Sequence, residues 1–395
     1  MFHPGKHSLL IALLALILPV VSLASEPDIT VIARGLNNPR GIAIRPDSSL
    51  LVIEAGDGTN EPESGTGTGR ILHLVDSNND GDFDDDNERR VILSNEPSYN
   101  ALALFPAYHD EVFGLGDLLL LENGQILFTK DDPLYEEEVV QGTEPLSYYV
   151  SNTGVFELNP DGSTTRNIKF TSTVNSIVYD AERELLFFTA SGQNRVLSMP
   201  LEGSEEPVHE IDLPFLEELQ QAVPAGLALD PNNGDILVAL LSGIIFDYYG
   251  TIISYLPGAA RIMRYDPDTD ELTDEVTGLT TAIDVAIDEE GNIYVVELTQ
   301  GWSPTLMPVD FDLFDPDALP DPGGYVRGEG RVSMYPADGS EARILLDNID
   351  TPTNITYAND RLYVSAGLGT PGRSVVSADG VHPIEGMIYM ISNFK

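Results

Sequence analysis

The chain has no cysteine, one tryptophan and only four lysines in 395 residues. Without cysteine there is no disulfide framework, no thiolate metal site and no lipid-modified cysteine behind a leader, so the fold must rest on its apolar core and on any ions it binds. Positive charge is scarce, with 20 Lys+Arg against 64 Asp+Glu and a formal charge of −44. A polyanion of this size is repelled by phosphate backbones and by anionic headgroups, which argues against nucleic acid and membrane surfaces as partners and suits a saline environment. Helical periodicity is sparse, and the segment from Pro214 to Val223 is the one helix candidate. Nucleophile signatures are missing as well, since neither G-x-S-x-G nor H-E-x-x-H occurs.

What remains is 42% hydrophobic, with 35 Gly and 27 Pro, which suits a large core and excludes disorder and collagen. Residues 1–24 read as an export signal, with Lys6 at a basic start, an apolar run from Leu9 to Leu23, and small Ser22 and Ala24 before the cut. The expected product is residues 25–395, secreted or periplasmic, and removal of the leader costs one base and no acid. An uncleaved anchor is the competing reading, although the apolar run is short for a span, and no later run is long enough to cross a bilayer.

One pattern recurs six times: an apolar strand, a polar turn, then a second apolar strand rich in Val, Ile, Leu and Tyr, beginning near Arg40, Gly116, Asn175, Ala225, Ile283 and Thr353. Asp, Asn or Gly in the turns tolerates the positive φ a hairpin needs. A third strand and usually a fourth follow each pair, which predicts an all-β, six-bladed β-propeller. The last copy, ending in GMIYMISNF, has three strands, so DITVIARG (Asp28 to Gly35) is expected to pair with it and close the ring, removing two exposed sheet edges. Long links join second to third strands at Gly56–Gly69, Asp131–Thr153, Ser242–Ala260, Thr299–Gly328 and Gly367–Glu385. In an up-and-down blade these links and those between blades share one face, the expected side for a ligand or partner, while solvated decoration is the bland alternative.

VIARGLNNPRGIAIRPDSSLLVIEAGDG (Val31 to Gly58) resembles the opening of the ScyD/ScyE family of secreted, NHL-like β-propellers, and GTGTGRILHL from Gly65 and GLGDLLLLENG from Gly114 continue the similarity. The resemblance implies an exported six-bladed propeller and brings no catalytic residues. The acidic insert at Asp76 and the long links after Asp131 and Thr299 depart from it.

The sharpest motif is DSNNDGDFDDD, where Asp76, Asn78, Asp80, Asp82 and Asp84 follow the alternate spacing of an oxygen-lined calcium loop and Gly81 permits the sharp turn. The twelfth position is Asn87, with Glu88 one place late, so the loop resembles those of extracellular modules rather than an EF-hand. Affinity in the range of about 10⁻⁴ to 10⁻³ M is expected. The loop joins strands on the short-turn face, which favours a structural calcium, and a solvated acidic turn is the alternative.

Aligning the six copies sets Gly41, Asp117, Ser176, Gly226, Asp284 and Asn354 at one level of the innermost strands, facing the channel mouth, with Arg40 and Asn175 one residue earlier. This yields a candidate ligand site of Arg40, Asp117, Asn175, Asp284 and Asn354. Carboxylates and an amide converging there suit a metal or a polarised water, as in metal-dependent lactonase propellers; a water-filled polar tunnel is the alternative. Glu54 and Glu297 stand as further rim candidates. Past the leader lie His73, His109, His209 and His382, of which only His109 falls near the open face, and the paired histidines of lactonase propellers have no counterpart. Aromatics Phe246, Tyr248, Tyr249, Trp302, Phe311, Phe314 and Tyr325 in the links suit stacking on a ligand or packing on the rim.

These features favour a monomeric binding or scaffolding propeller for a small organic molecule or a protein, with a metal-dependent hydrolase or lactonase using Asp117, Asp284 and Asn354 as the runner-up.

Overall fold

A computed structural model describes residues 26–59, 67–85, 87–101, 110–132, 153–170, 172–203, 206–216, 220–242, 244–247, 250–253, 256–303, 324–378 and 380–395. The leader 1–24 and the candidates His109, Tyr248, Tyr249, Phe311 and Phe314 lie outside the described residues, and Phe246 and Trp302 are described by their backbone alone.

Six four-stranded antiparallel sheets form the blades of a β-propeller. Their innermost strands are Pro39–Ile44, Leu115–Leu120, Ile177–Asp180, Pro224–Leu229, Ala282–Ile287 and Pro352–Ala358. Second strands such as Leu50–Glu54, Leu185–Ala190, Ile236–Leu240 and Ile293–Glu297 are buried along their whole length. Their sequences are unbroken apolar runs rather than alternating ones because a neighbouring blade covers each face. Outer strands such as Glu271–Leu279 have one wet edge and are largely polar.

The core is divided among the seams between successive blades. One apolar layer joins blades 1 and 2 around Ile53 and Phe128, another joins blades 3 and 4 around Phe187 and Val238, and a third joins blades 5 and 6 around Tyr294 and Val364. Ring closure occurs as expected: strand Asp28–Leu36 runs antiparallel to Gly386–Ser392 and completes blade 6, with Asp28 opposite Ser392 and Leu36 opposite Gly386. Ile32, Ala33 and Leu36 of that strand pack with Ile42, Leu50 and Leu72 of blade 1, so the closing seam is an apolar layer like the others.

The first-to-second strand turns follow the expected chemistry in most blades, with positive φ at Gly124, Gly234, Gly291, Asn359 and Asp360. In blades 1 and 3 the left-handed residue is Ser48 or Glu184. Asp47 and Asp180 compensate by accepting backbone N–H bonds from Ser49 and from Glu182 and Arg183.

The helix candidate at Pro214–Val223 takes another course among the described residues. Gln220–Gln221 is a strand paired with Ile244–Ile245, and Leu213, Leu216 and Ala222 are drawn into the seam between blades 3 and 4. Burial of those three side chains outweighs the weak helical spacing.

Candidate functional site

The ring positions read from the repeats do share one level, and there they form contacts from blade to blade. Five of the six inner hairpins carry a register shift at this level: between Pro39 and Ile42, Leu115 and Leu118, Pro224 and Gly226, Ala282 and Asp284, and Pro352 and Asn354. A bulge of this kind re-aims one side chain out of the regular alternation. Asp117 Oδ1 accepts the N–H of Leu118 at 2.8 Å, while Oδ2 accepts Ser176 Oγ–H at 2.7 Å and the N–H of Ile177 at 3.0 Å from blade 3. Asp284 repeats the arrangement with Val285 at 2.9 Å and, from blade 6, the Asn354 amide at 2.7 Å and Ile355 N–H at 2.8 Å.

Each aspartate needs room on its other side, and a glycine of the preceding blade supplies it. A Cβ on Gly226 would stand 2.1 Å from Asp284 Oδ1, and one on Gly41 would stand 2.5 Å from Leu118 N. Ser176 Oγ in turn accepts Leu227 N–H of blade 4 at 3.1 Å. The ring therefore runs glycine, aspartate, polar donor and then repeats that order, as Gly41, Asp117, Ser176, Gly226, Asp284, Asn354. Both carboxylates are buried. Burial pushes the Asp117 carboxyl above the usual carboxylate range despite its hydrogen bonds. Asp284 is pushed well above it, by burial first and then by the Asp117 charge.

Arg40 and Asn175 stand beside this ring without joining it. Arg40 donates to Val112 O at 2.7 Å and meets Glu111 at 3.5 Å, whereas the Asn175 amide donates to Ser191 Oγ at 3.0 Å. Next to them is Asp131, read from the sequence only as the start of a long link; it follows blade 2's second strand and is buried, accepting Val174 N–H at 3.4 Å. Burial raises its carboxyl to about 7, the Glu111 charge adds to the rise, and Arg40 opposes it. Arg40, Glu111, Asp131 and Asn175 make the polar side of the mouth. Across it, Ala225, Leu241, Leu298, Tyr325 and Leu368 form a buried apolar cluster, so Tyr325 packs on the rim.

The rim glutamates act as caps on links between blades. Glu54 accepts Asn37 N–H at 2.6 Å and is ion-paired with Arg70, and Glu297 accepts Thr280 N–H at 2.7 Å. Two further ion pairs fix the long-loop face: fully buried Arg373 meets Asp110 at 2.9 Å, and Arg327 meets Asp350 at 2.6 Å. Neither pair is visible in local spacing, since the Arg373 and Asp110 partners come from links of blades 6 and 1.

On the opposite face, carboxylate oxygens of Asp76, Asp80 and Glu88 lie within 4.8 Å of one another. Glu88 is only 1% exposed, and its Oε1 accepts Ser77 N–H at 2.9 Å and Asn78 N–H at 3.3 Å. Its Oε2, and Oδ1 of Asp76, are buried with no hydrogen-bond donor. Two buried carboxylate oxygens without donors are costly unless a cation meets them, and hard oxygen ligands of this kind suit calcium. Asn78 is adjacent, with its Oδ1 accepting Asp80 N–H at 2.8 Å, and Asp82 Oδ1 accepts Asp84 N–H at 3.0 Å. Asp84 turns aside to accept Arg34 N–H at 2.8 Å and pair with Arg89 at 2.6 Å. Glu88 is the member that the twelve-residue spacing passed over. A turn with Glu88 N–H on Asp85 O at 3.0 Å returns it to the cluster.

No family model matches the sequence, and neither does any curated protein. Among solved structures, a gluconolactonase of Xanthomonas campestris superposes with a TM-score of 0.51 at 12% identity, over 94% of this chain and 92% of that one. A putative oxidoreductase (glucose dehydrogenase) of Thermus thermophilus gives 0.49 at 13% identity over 92% and 99%. Virginiamycin B lyase of Staphylococcus aureus gives 0.45 at 10% identity over 93% and 99%. At such identity the gluconolactonase likeness is one of fold, and it agrees with the six-bladed propeller built above.

Proposed function

We propose that the protein is an exported binding propeller of the ScyD/ScyE type that recognises a small organic molecule or a protein on its long-loop face, and that it holds a structural calcium in blade 1. The observation that carries this reading is the occupation of the ring carboxylates. Every oxygen of Asp117 and Asp284 accepts a donor from the protein itself. An ion at the ring would have to displace those inter-blade bonds, and a ring that spends its carboxylates on holding blades together has none left to polarise a substrate. The long-loop face instead offers the half-buried polar group of Arg40, Glu111 and Asn175 beside the apolar cluster of Leu241, Leu298 and Tyr325. Polar anchors next to apolar floor suit recognition of an organic ligand.

Calcium titration by calorimetry, combined with a panel of lactones and esters that includes gluconolactone, tests the proposal. The expected result is calcium binding that survives Asp284→Ala and is lost with Asp80→Ala, and no turnover with or without calcium. Lactone hydrolysis that needs calcium and disappears in Asp284→Ala would establish the hydrolase instead.

A further inference from the structure

The acidic loop of blade 1 grips the strand that closes the ring. Phe83 N–H donates to Ile32 O at 2.7 Å, and Asp84 accepts Arg34 N–H at 2.8 Å. Arg89 holds the same turn from below, donating to Phe83 O at 2.6 Å and to Asp84 at 2.6 Å. The Phe83 ring is buried in the closing seam with Ile32, Leu36 and Ile388. Ile32 and Arg34 both belong to the closing strand Asp28–Leu36, whose first residues are exposed. Within the loop, Asp76, Asp80 and Glu88 converge just before and just after the Phe83–Asp84 turn.

Two observations make this more than an acidic turn. Glu88 is buried yet leaves Oε2 without a donor, Asp76 leaves a buried Oδ1 in the same state, and each of the two residues offers a carboxylate oxygen to the convergent group. The loop also carries Asp82 and Asp85 beside these ligands, so its like charges repel until a cation gathers them.

We infer that a divalent cation of calcium size and hardness, held by Asp76, Asp80 and Glu88, is a latch on ring closure. The cation fixes the turn from which Phe83 and Asp84 hold the closing strand, so release of that strand and release of the cation are linked. Linkage makes the effect reciprocal: whatever loosens the strand weakens the cation, and removing the cation frees the strand. This rests on the calcium reading above and adds to it the element that the ion controls.

Hydrogen exchange on the full chain tests the latch, in calcium at about ten times its dissociation constant and in chelator. If the strand opens only when the cation has left, exchange of Asp28–Leu36 slows by up to about tenfold in calcium. Exchange of Ile236–Leu240, on the far side of the ring, stays unchanged. Glu88→Gln removes the difference, and should that variant not fold, the exposed Asp80→Asn carries the same expectation. Calcium that binds by calorimetry but protects only residues 76–88, or protects all blades equally, overturns the latch and leaves the calcium site standing. Absence of any calcium binding overturns the site, and the latch with it.

Discussion

The two groups of acids differ in what their oxygens meet. In the ring, Asp117 and Asp284 are buried and saturated by donors from two blades each. In the blade 1 loop, Asp76 and Glu88 keep buried oxygens that no protein group satisfies. A carboxylate of the first kind acts as a clasp, and its worth is measured in stability. One of the second kind has lone pairs left for a cation, and on the calcium proposal its worth shows only when that cation is present. The difference teaches that convergence of acids at a propeller's centre says little about chemistry until each lone pair has been followed to a donor.

The sharpest way to break the comparison is to deny a clasp its space. Gly226→Ala would set a methyl 2.1 Å from Asp284 Oδ1 and 2.5 Å from its Cα, contacts that only a shift of blade 4 against blade 5 can relieve. The expected loss is about 3 kcal/mol or more. Gly301→Ala is the control for the plain cost of an added methyl, since neither glycine sits at positive φ and the carbon there would meet nothing closer than Val326 Cγ2 at 3.4 Å. Equal losses in denaturant unfolding would remove the spatial role assigned to Gly226.

Removing the clasp itself comes next. Asp284→Ala strands the Ile355 and Val285 N–H groups and the Asn354 amide, for a loss of roughly 2–3 kcal/mol. Calcium affinity should be unchanged, because the loop lies on the opposite face. A loss of affinity larger than about tenfold, far beyond what distant sites share, would place an ion at the ring and overturn the division drawn above.

Asp131 separates burial from clasping. Its carboxyl is raised to about 7, so between the ordinary carboxylate range and that value the folded chain holds a proton that the unfolded chain has released. Stability from this group is therefore greatest in acid and falls as pH rises toward 7. Asp131→Asn should match the parent near pH 4 and exceed it by up to about 4 kcal/mol at pH 8. Thermal unfolding of both proteins across that range is the measurement, and a variant less stable than the parent at pH 8 would show that the charge is favoured where it stands.

Much of the fold is legible in the sequence because a propeller repeats its burial pattern. Unbroken apolar second strands, turns built on Asp, Asn and Gly, and an orphan strand at Asp28 each follow from one blade being covered by the next. Ring level is legible for the same reason, since aligned copies put Asp117 and Asp284 at equivalent points. Their role is not, because it depends on bulges and on backbone N–H groups of Ile177 and Ile355 that belong to other blades. Asp131 is hidden likewise, being one more strand-end acid until Val174 and Arg40 close over it. Glu88 escapes a fixed-spacing motif because it stands one place past the twelfth position and is held there by its N–H on Asp85 O, and Asp84, which fits the spacing, is taken by Arg34 and Arg89.

The smallest effect separates members of the loop from one another. Asp82 fits the alternate spacing as well as Asp80 does, yet its half-buried carboxylate spends one oxygen on Asp84 N–H and is not among those that converge. Asp80 is one of the three residues whose oxygens converge. Removing a partly solvated charge that is not a ligand costs only screened attraction, while removing a ligand would cost a coordinate bond and leave Glu88 and Asp76 with less to share. Asp82→Ala should therefore weaken calcium by about threefold or less, a screened effect within about 0.7 kcal/mol. An Asp82→Ala loss as large as that of Asp80→Ala in the same titration would mean that spacing along the chain, and not the convergence around Glu88, defines the site.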